Sequence, residues 1–515
     1  MRLKIFAGAL WFSAFIASSH AEVKLGAPFT DHMVLQRDVL VPVWGTAAAG
    51  ETVTVEFAGQ SKSATADASG KWLIKLAPLS ASADPRELVV RGNGKSEIEN
   101  LKCEDVFVGE VWLASGQSNM DFSLSKKVKY FAGVANEEPE IAAANYPLIR
   151  MFTGEAAKAY TPQTRVGGDW KVCTPENAPA FSAVGYFFAR DLQREIKVPV
   201  GVVTLAFGAS TAEAWIERKA LAEDPELKPM LERFDAAVEK FRTNPPPVIA
   251  APRSEDVSAT NGTPKSRKRG GGGSRDPIQD QHNATVLFNG MINPVIPYAI
   301  RGAIWYQGES IVDANKGGIA LYPRVQAALI YDWRALWGEG AFPFYIVQLA
   351  GQEAASNNPL VREAQATVLD LPNTGMAVAS DIGEAKNVHP KNKQDVGDRL
   401  ARIALAKVYG RKIEYSGPQF AAMKIAGSEA RLQFTHLGGG LVAKGGAALG
   451  GFVIAGADKK FVPAAARIDG DTVVVSSAEV TAPVAVRYAW KNFPQDANLY
   501  NAAGLPAPQF RTDAW

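Results

Sequence analysis

Ser118 is the first residue whose setting suggests chemistry. It stands in Gly-Gln-Ser-Asn-Met at positions 116–120, directly after the apolar run VFVGEVWLAS. A tight turn there into a helix would lift the hydroxyl to the carboxyl end of a strand, beside free backbone N–H groups. A serine hydroxyl is a weak nucleophile at neutral pH, so it needs a base to take its proton and donors to hold the oxyanion formed on attack. Serine in such a turn also serves as an ordinary helix N-cap, and its partners must decide between the two readings.

The candidate base is His389, in NVHPKNKQDVGDRLA. It follows a strand candidate, TGMAVASDIG, and precedes a helical stretch, which puts it on the edge where open α/β sheets place their sites. A histidine base needs an acid to hold its tautomer and to stabilise the imidazolium. Asp381, Glu384 and Asp395 are near in sequence. Asp381, at a strand end, is the best placed of the three, with a turn or capping carboxylate as its alternative role; Asp395 is expected to face solvent on the helix. Two more strand ends offer oxyanion donors: Gly208 in LAFGAST, whose backbone can approach closely, and Gln307 in IWYQGESI, whose amide donates. Glu309 in the same block reads either as an orienting acid or as a buried hydrogen-bonding partner.

These residues need a sheet to hold them. From about residue 105 the runs VFVGEVWLAS, VPVGVVTLAFG, IRGAIWYQGE, FPFYIVQLAG and TGMAVASDIG lack polar alternation, as strands covered on both faces do. Between them SAVGYFFARDLQREI, YPRVQAALIYDWRALW and KQDVGDRLARIALAKVYG have helical periodicity, so an α/β fold with a parallel sheet is expected over residues 105–410. On either side, residues 22–104 and 411–515 read as short alternating strands separated by turns, and each predicts a β-sandwich region. Residues 243–281, with NPPP and SRKRGGGGSR, cannot bury a core and predict an exposed loop insertion.

Bulk properties agree with several domains. The chain has 515 residues, 47% hydrophobic and 21% charged, as in ordinary globular proteins. A net charge of +2 gives no field for nucleic acid, so a small or neutral ligand is expected. Residues 1–21 read as a secretory signal, with Arg2 and Lys4 ahead of an apolar stretch too short to span a bilayer and small residues, Ser19 and Ala21, at its end. The expected mature protein is exported to the periplasm or beyond, with no membrane segment. Cys103 and Cys173 are too few for a disulfide framework, and His32, His282, His389 and His436 lack metal-type spacing, so no metal is predicted.

Taken together, MVLQRDVLVPVWG, VWLASGQSNM, FGASTAEAWI, LFNGMINPVIPYAIRGAIWYQGES, VHPKNKQDVGDRLA and NLYNAAGLPAPQFRTDAW resemble the bacterial sialate O-acetylesterase family of the SGNH-hydrolase superfamily. The likeness covers nearly the whole chain after the leader. It implies a flavodoxin-like three-layer SGNH hydrolase domain with a parallel sheet, flanked by β-sandwich regions and acting without cofactor on acetyl esters of sugars or glycans. Carried over by motif, Ser118 is the nucleophile and His389 the base, and the Ser118 and Gly208 N–H groups with Gln307 form the oxyanion hole. Two positions depart from the family pattern. Ala209 stands where a glycine is common, and Asn387 where many relatives carry aspartate. Asp381 then serves as the triad acid, or the enzyme works as a Ser-His dyad. The substrate is acetylated sialic acid or, as the alternative, a hemicellulose such as xylan or xyloglucan. In that setting Trp112, Trp215, Trp305 and Tyr306 are either sugar platforms or core. The rival from another class is a non-catalytic glycan-binding protein.

Overall fold

A computed structural model describes residues 22–93, 100–244, 276–311, 313–314, 317–446 and 448–515. At its centre lie seven strands: β1 (Leu101–Gly116), β2 (Tyr146–Thr153), β3 (Trp170–Cys173), β4 (Val200–Ala206), β5 (Gly302–Tyr306), β6 (Phe344–Val347) and β7 (Thr374–Ala377). Their order is β3-β2-β4-β1-β5-β6-β7, and all neighbours are parallel except the antiparallel edge pair β3 and β2. Every residue of β4, β5 and β6 is buried, which is why these segments read as unbroken apolar runs. Four helices pack in pairs, α1 (Ala183–Ile196) with α4 (Gln394–Lys407) and α2 (Gly318–Trp337) with α3 (Asn358–Ala366). Helix α1 starts where the Ser182 hydroxyl accepts the Gly185 N–H at 3.2 Å, a side-chain cap. The fold is mixed α/β, with a parallel sheet segment and antiparallel sheets before and after it.

The expected boundary near residue 104 falls inside a continuous strand. The first half of β1 pairs with Ser82–Gly92 and Val34–Gln36 of the N-terminal region, and its second half pairs with β4 and β5. One buried core accordingly runs from Val23 through Leu405, so the N-terminal strands and the α/β layer share their interior. A separate core closes the chain. There Leu432, Val473 and Val475 of one four-stranded sheet meet Phe452, Ile454 and Tyr488 of another.

The leader expected over residues 1–21, the basic run near Arg267 and most of the loop expected over 243–281 lie outside the described residues. No helix among the described residues is long and apolar enough to cross a membrane. Cys103 and Cys173 are buried free thiols, and burial pushes each up to about 12.

Candidate active site

The nucleophile turn is built by close contact between β1 and β5. Gly116 ends β1 at a φ of +136°, and a Cβ there would lie 2.1 Å from the Tyr306 carbonyl oxygen, so only glycine fits. The Gln117 N–H donates to that same oxygen at 2.9 Å, while the Gln117 side-chain oxygen accepts the N–H groups of Gly308 and Ser310 at 3.4 and 3.3 Å. The expected helix after Ser118 does not form. One turn closes instead, with the N–H groups of Met120 and Asp121 both donating to the Gln117 carbonyl at 2.9 Å. Phe122, Leu124 and Val134 bury themselves farther on and pull the chain away before a second turn can add to the first.

His389 meets Ser118. Its Nε2 lies 2.8 Å from the Ser118 Oγ, joining residues 271 positions apart. The loop from β7 to α4 carries it, folded by Asn387, whose side-chain oxygen accepts the His389 N–H at 3.0 Å and whose amide donates to the Glu384 carboxylate and the His389 carbonyl. The imidazole packs on Phe131, with ring centroids 4.7 Å apart. Gly208 comes from the end of β4, so close that a Cβ on it would lie 3.8 Å from that of Ser118. Neither the Ser118 nor the Gly208 N–H has a hydrogen-bond partner among the described residues. A basic nitrogen on a serine hydroxyl, with two unengaged amides beside it, is an arrangement suited to acyl transfer.

Two expected roles are corrected. Asp381 is not on the histidine: its carboxylate is held bidentately by Arg399 at 2.7 Å and accepts the Tyr500 hydroxyl at 2.7 Å, all of it buried. Burial pushes its pKa up, but the Arg399 bonds and charge outweigh this and hold the carboxyl below its ordinary value. Among the described residues no group bonds His389 Nδ1, so the Ser118–His389 contact stands without a carboxylate behind the ring. Gln307 is not a free donor either. Its Nε2 donates to the carbonyls of Ser310 at 2.7 Å and Ser210 at 3.2 Å, and its oxygen accepts the Tyr322 hydroxyl at 2.7 Å. Both N–H hydrogens therefore face carbonyls, and the residue ties β4, β5 and α2 together. Trp112, Trp215, Trp305 and Tyr306 are fully buried core residues, not platforms. Asp395 faces outward on α4 and bonds Asn392.

The family model described as carbohydrate esterase, sialic acid-specific acetylesterase, matches residues 272–406. A crystal structure of a carbohydrate acetylesterase from Xanthomonas citri superposes with a TM-score of 0.79 and 37% identity, over 96% of this chain and 100% of that one. The chain belongs to the sialate O-acetylesterase family of carbohydrate esterases. The mouse sialate O-acetylesterase is 28% identical, covering 93% of this chain and 92% of the mouse protein; the human one is 27% identical, covering 93% and 90%.

In this carbohydrate acetylesterase the residue after Ser118 has a part that its sequence did not advertise. Asn119 is buried, and its amide donates to Glu309 and, at 3.0 Å, to the Val388 carbonyl, while its oxygen accepts the Lys393 ammonium at 2.6 Å. Glu309 is thus the buried partner of Asn119 and makes no bond to His389. Burial raises the Glu309 carboxyl and lowers the Lys393 ammonium to about 7. Burial, and then the Lys393 charge, lower His389 to about 4, so its free-base form predominates at neutral pH. Lysine is almost never fully buried, and nothing in the string HPKNK marks this one as an exception. Beside the dyad a cavity of about 250 Å³ opens between Glu309, Leu349, Asn387 and Val388.

Proposed function

We propose that the esterase removes O-acetyl groups from sialic acids through a Ser118–His389 dyad on a flavodoxin-like SGNH hydrolase domain. The carrying observation is the 2.8 Å contact between His389 Nε2 and Ser118 Oγ beside two unengaged amides. His389 takes the Ser118 proton, Oγ bonds to the acetyl carbon, and the carbonyl electron pair moves onto oxygen, where the Ser118 and Gly208 N–H groups receive it. Collapse expels the sugar oxygen, which takes the proton from Nε2. Water, deprotonated by the same nitrogen, then releases acetate. The strand sequence β4-β1-β5-β6-β7 supports the domain reading, since it is the 2-1-3-4-5 order of flavodoxin-like sheets, with the dyad at the carboxyl ends.

An acidic sugar suits the segment that packs on His389. The segment that brings Phe131 to His389 also carries the exposed Lys126 and Lys127 and Tyr130, 95% exposed. A carboxylated sugar gains from this charge, and an aromatic face there offers a stacking surface. The reading is completed by export, with residues 1–21 as a leader, which amino-terminal sequencing of the mature protein tests. The function itself is tested by acetate release from acetylated sialic acid and acetylated xylan in parallel, with Ser118→Ala as control. Release from sialate that vanishes in the variant is expected; release from xylan alone would move the substrate to hemicellulose.

A further inference from the structure

We propose that Asn119 is the positioning residue of the dyad, fastening the histidine loop to the nucleophile turn on both sides of His389, with Glu309 and Lys393 holding it there. The inference rests on the reading of Ser118 and His389 as nucleophile and base. Asn119 follows the nucleophile directly. Its amide reaches the carbonyl of Val388, one residue before His389, and its oxygen takes the ammonium of Lys393, four residues after it. The stretch 388–393 is therefore pinned at both ends to the residue next to Ser118, and the dyad contact lies between the pins. Glu309 arrives from the end of a third strand and takes the same Asn119 amide, which fixes the orientation of the side chain. An asparagine whose amide faces two acceptors and whose oxygen faces a cation has only one way to sit.

A dyad has particular need of such a device. In a triad the carboxylate orients the imidazole, but here Asp381 is occupied by Arg399 and Tyr500. Orientation must come from Phe131, on which the ring packs, and from the loop backbone, which Asn387 shapes from within and Asn119 anchors from outside. Lys393 has a second consequence, because its positive charge, favoured by Glu309 and Glu384, disfavours a second positive charge on His389.

The test uses the full chain, Asn119→Ala, Lys393→Met and Glu309→Gln, each first checked for cooperative thermal unfolding. A misplacement of the order of 1 Å costs about a hundredfold in rate, so Asn119→Ala should lose about that much in kcat while KM changes less than about threefold. Glu309→Gln keeps an acceptor for the Asn119 amide but removes the charge, so its loss in kcat should be smaller than that of Asn119→Ala. Lys393→Met preserves chain length without the charge. It should lower kcat and move the His389 titration, followed by NMR of the imidazole, upward towards its ordinary value. That titration needs no substrate, so it reports even if the acetylated sugar is wrongly chosen and if Asn119→Ala does not fold. A folded Asn119→Ala variant at the parent rate, or a His389 titration unmoved in Lys393→Met, overturns the proposal. Parent protein without Ser118-dependent release would instead count against the dyad reading.

Discussion

At the residue scale, the proposed base, His389, is held in surroundings that disfavour its protonated form. A histidine that acts as a base must be neutral, and its neutral fraction falls as pH drops through its pKa. With burial and Lys393 holding His389 at about 4, the acidic limb of kcat/KM should lie near that value, well below the ordinary 6.5. A pH–rate profile checks this, and a limb near 6.5 would show that the ring is not desolvated in solution. Asp381 has a different fate. Breaking a buried ion pair by removing one partner costs about 3–5 kcal/mol. Asp381→Asn should therefore lose stability of that order in urea unfolding while kcat stays near the parent value. A thousandfold loss of kcat at unchanged stability would return Asp381 to the catalytic role. Because the Asp381 carboxyl is held low in the fold, the pair's stabilisation is present above the unfolded carboxylate pKa and is lost as pH falls through the folded value.

At the scale of the element, strand ends do the positioning, and their backbone conformations are legible to different degrees. Ala209, where the family pattern favours glycine, keeps the left-handed conformation that glycine would adopt, with a φ of 55°. An alanine held there is strained. An alanine at positive φ costs about 1 kcal/mol relative to glycine. Ala209 is exposed, so its methyl contributes little burial to offset that. Ala209→Gly should thus raise stability by up to about 1 kcal/mol in thermal or urea unfolding, with kcat unchanged. The parallel strands were readable because burial on both faces removes polar alternation. Strands β2 and β3 escaped such a reading, since Tyr146–Thr153 and Trp170–Cys173 lie towards the sheet edge and mix exposed with buried positions.

At the scale of the whole molecule, the carboxyl-terminal region is fastened to the edge of the site. Arg362 of α3 is wholly buried and donates to the carbonyls of Leu349 and Ala350 near the site and of Lys491 and Asn492 beyond it. Tyr500 reaches back to Asp381. Arg362→Met would leave these carbonyls unpaired in the interior, each at a cost of about 1–3 kcal/mol where water cannot enter. A loss of at least about 3 kcal/mol in urea unfolding is expected, and a loss below about 1 kcal/mol would show that the two regions are not coupled through this residue. The shared core from Val23 to Leu405 gives the N-terminal strands the same dependence on the α/β layer.

The residues with intrinsic chemistry, and the layers that carry them, are legible in residue type and hydrophobic period. Ser118 and His389 could be singled out because residue type and position after an apolar strand suggest a nucleophile and a base. The α/β order could be named because hydrophobic period follows burial. Which polar group serves which partner was settled by folding. Asp381 and Gln307 had the right chemical groups, but Arg399, Tyr500, Tyr322 and two backbone carbonyls reach them first. Competition for a hydrogen bond is settled by distance in space, and residues such as Asn119 and Lys393, 274 positions apart, acquire their roles only when the chain brings them within 2.6 Å.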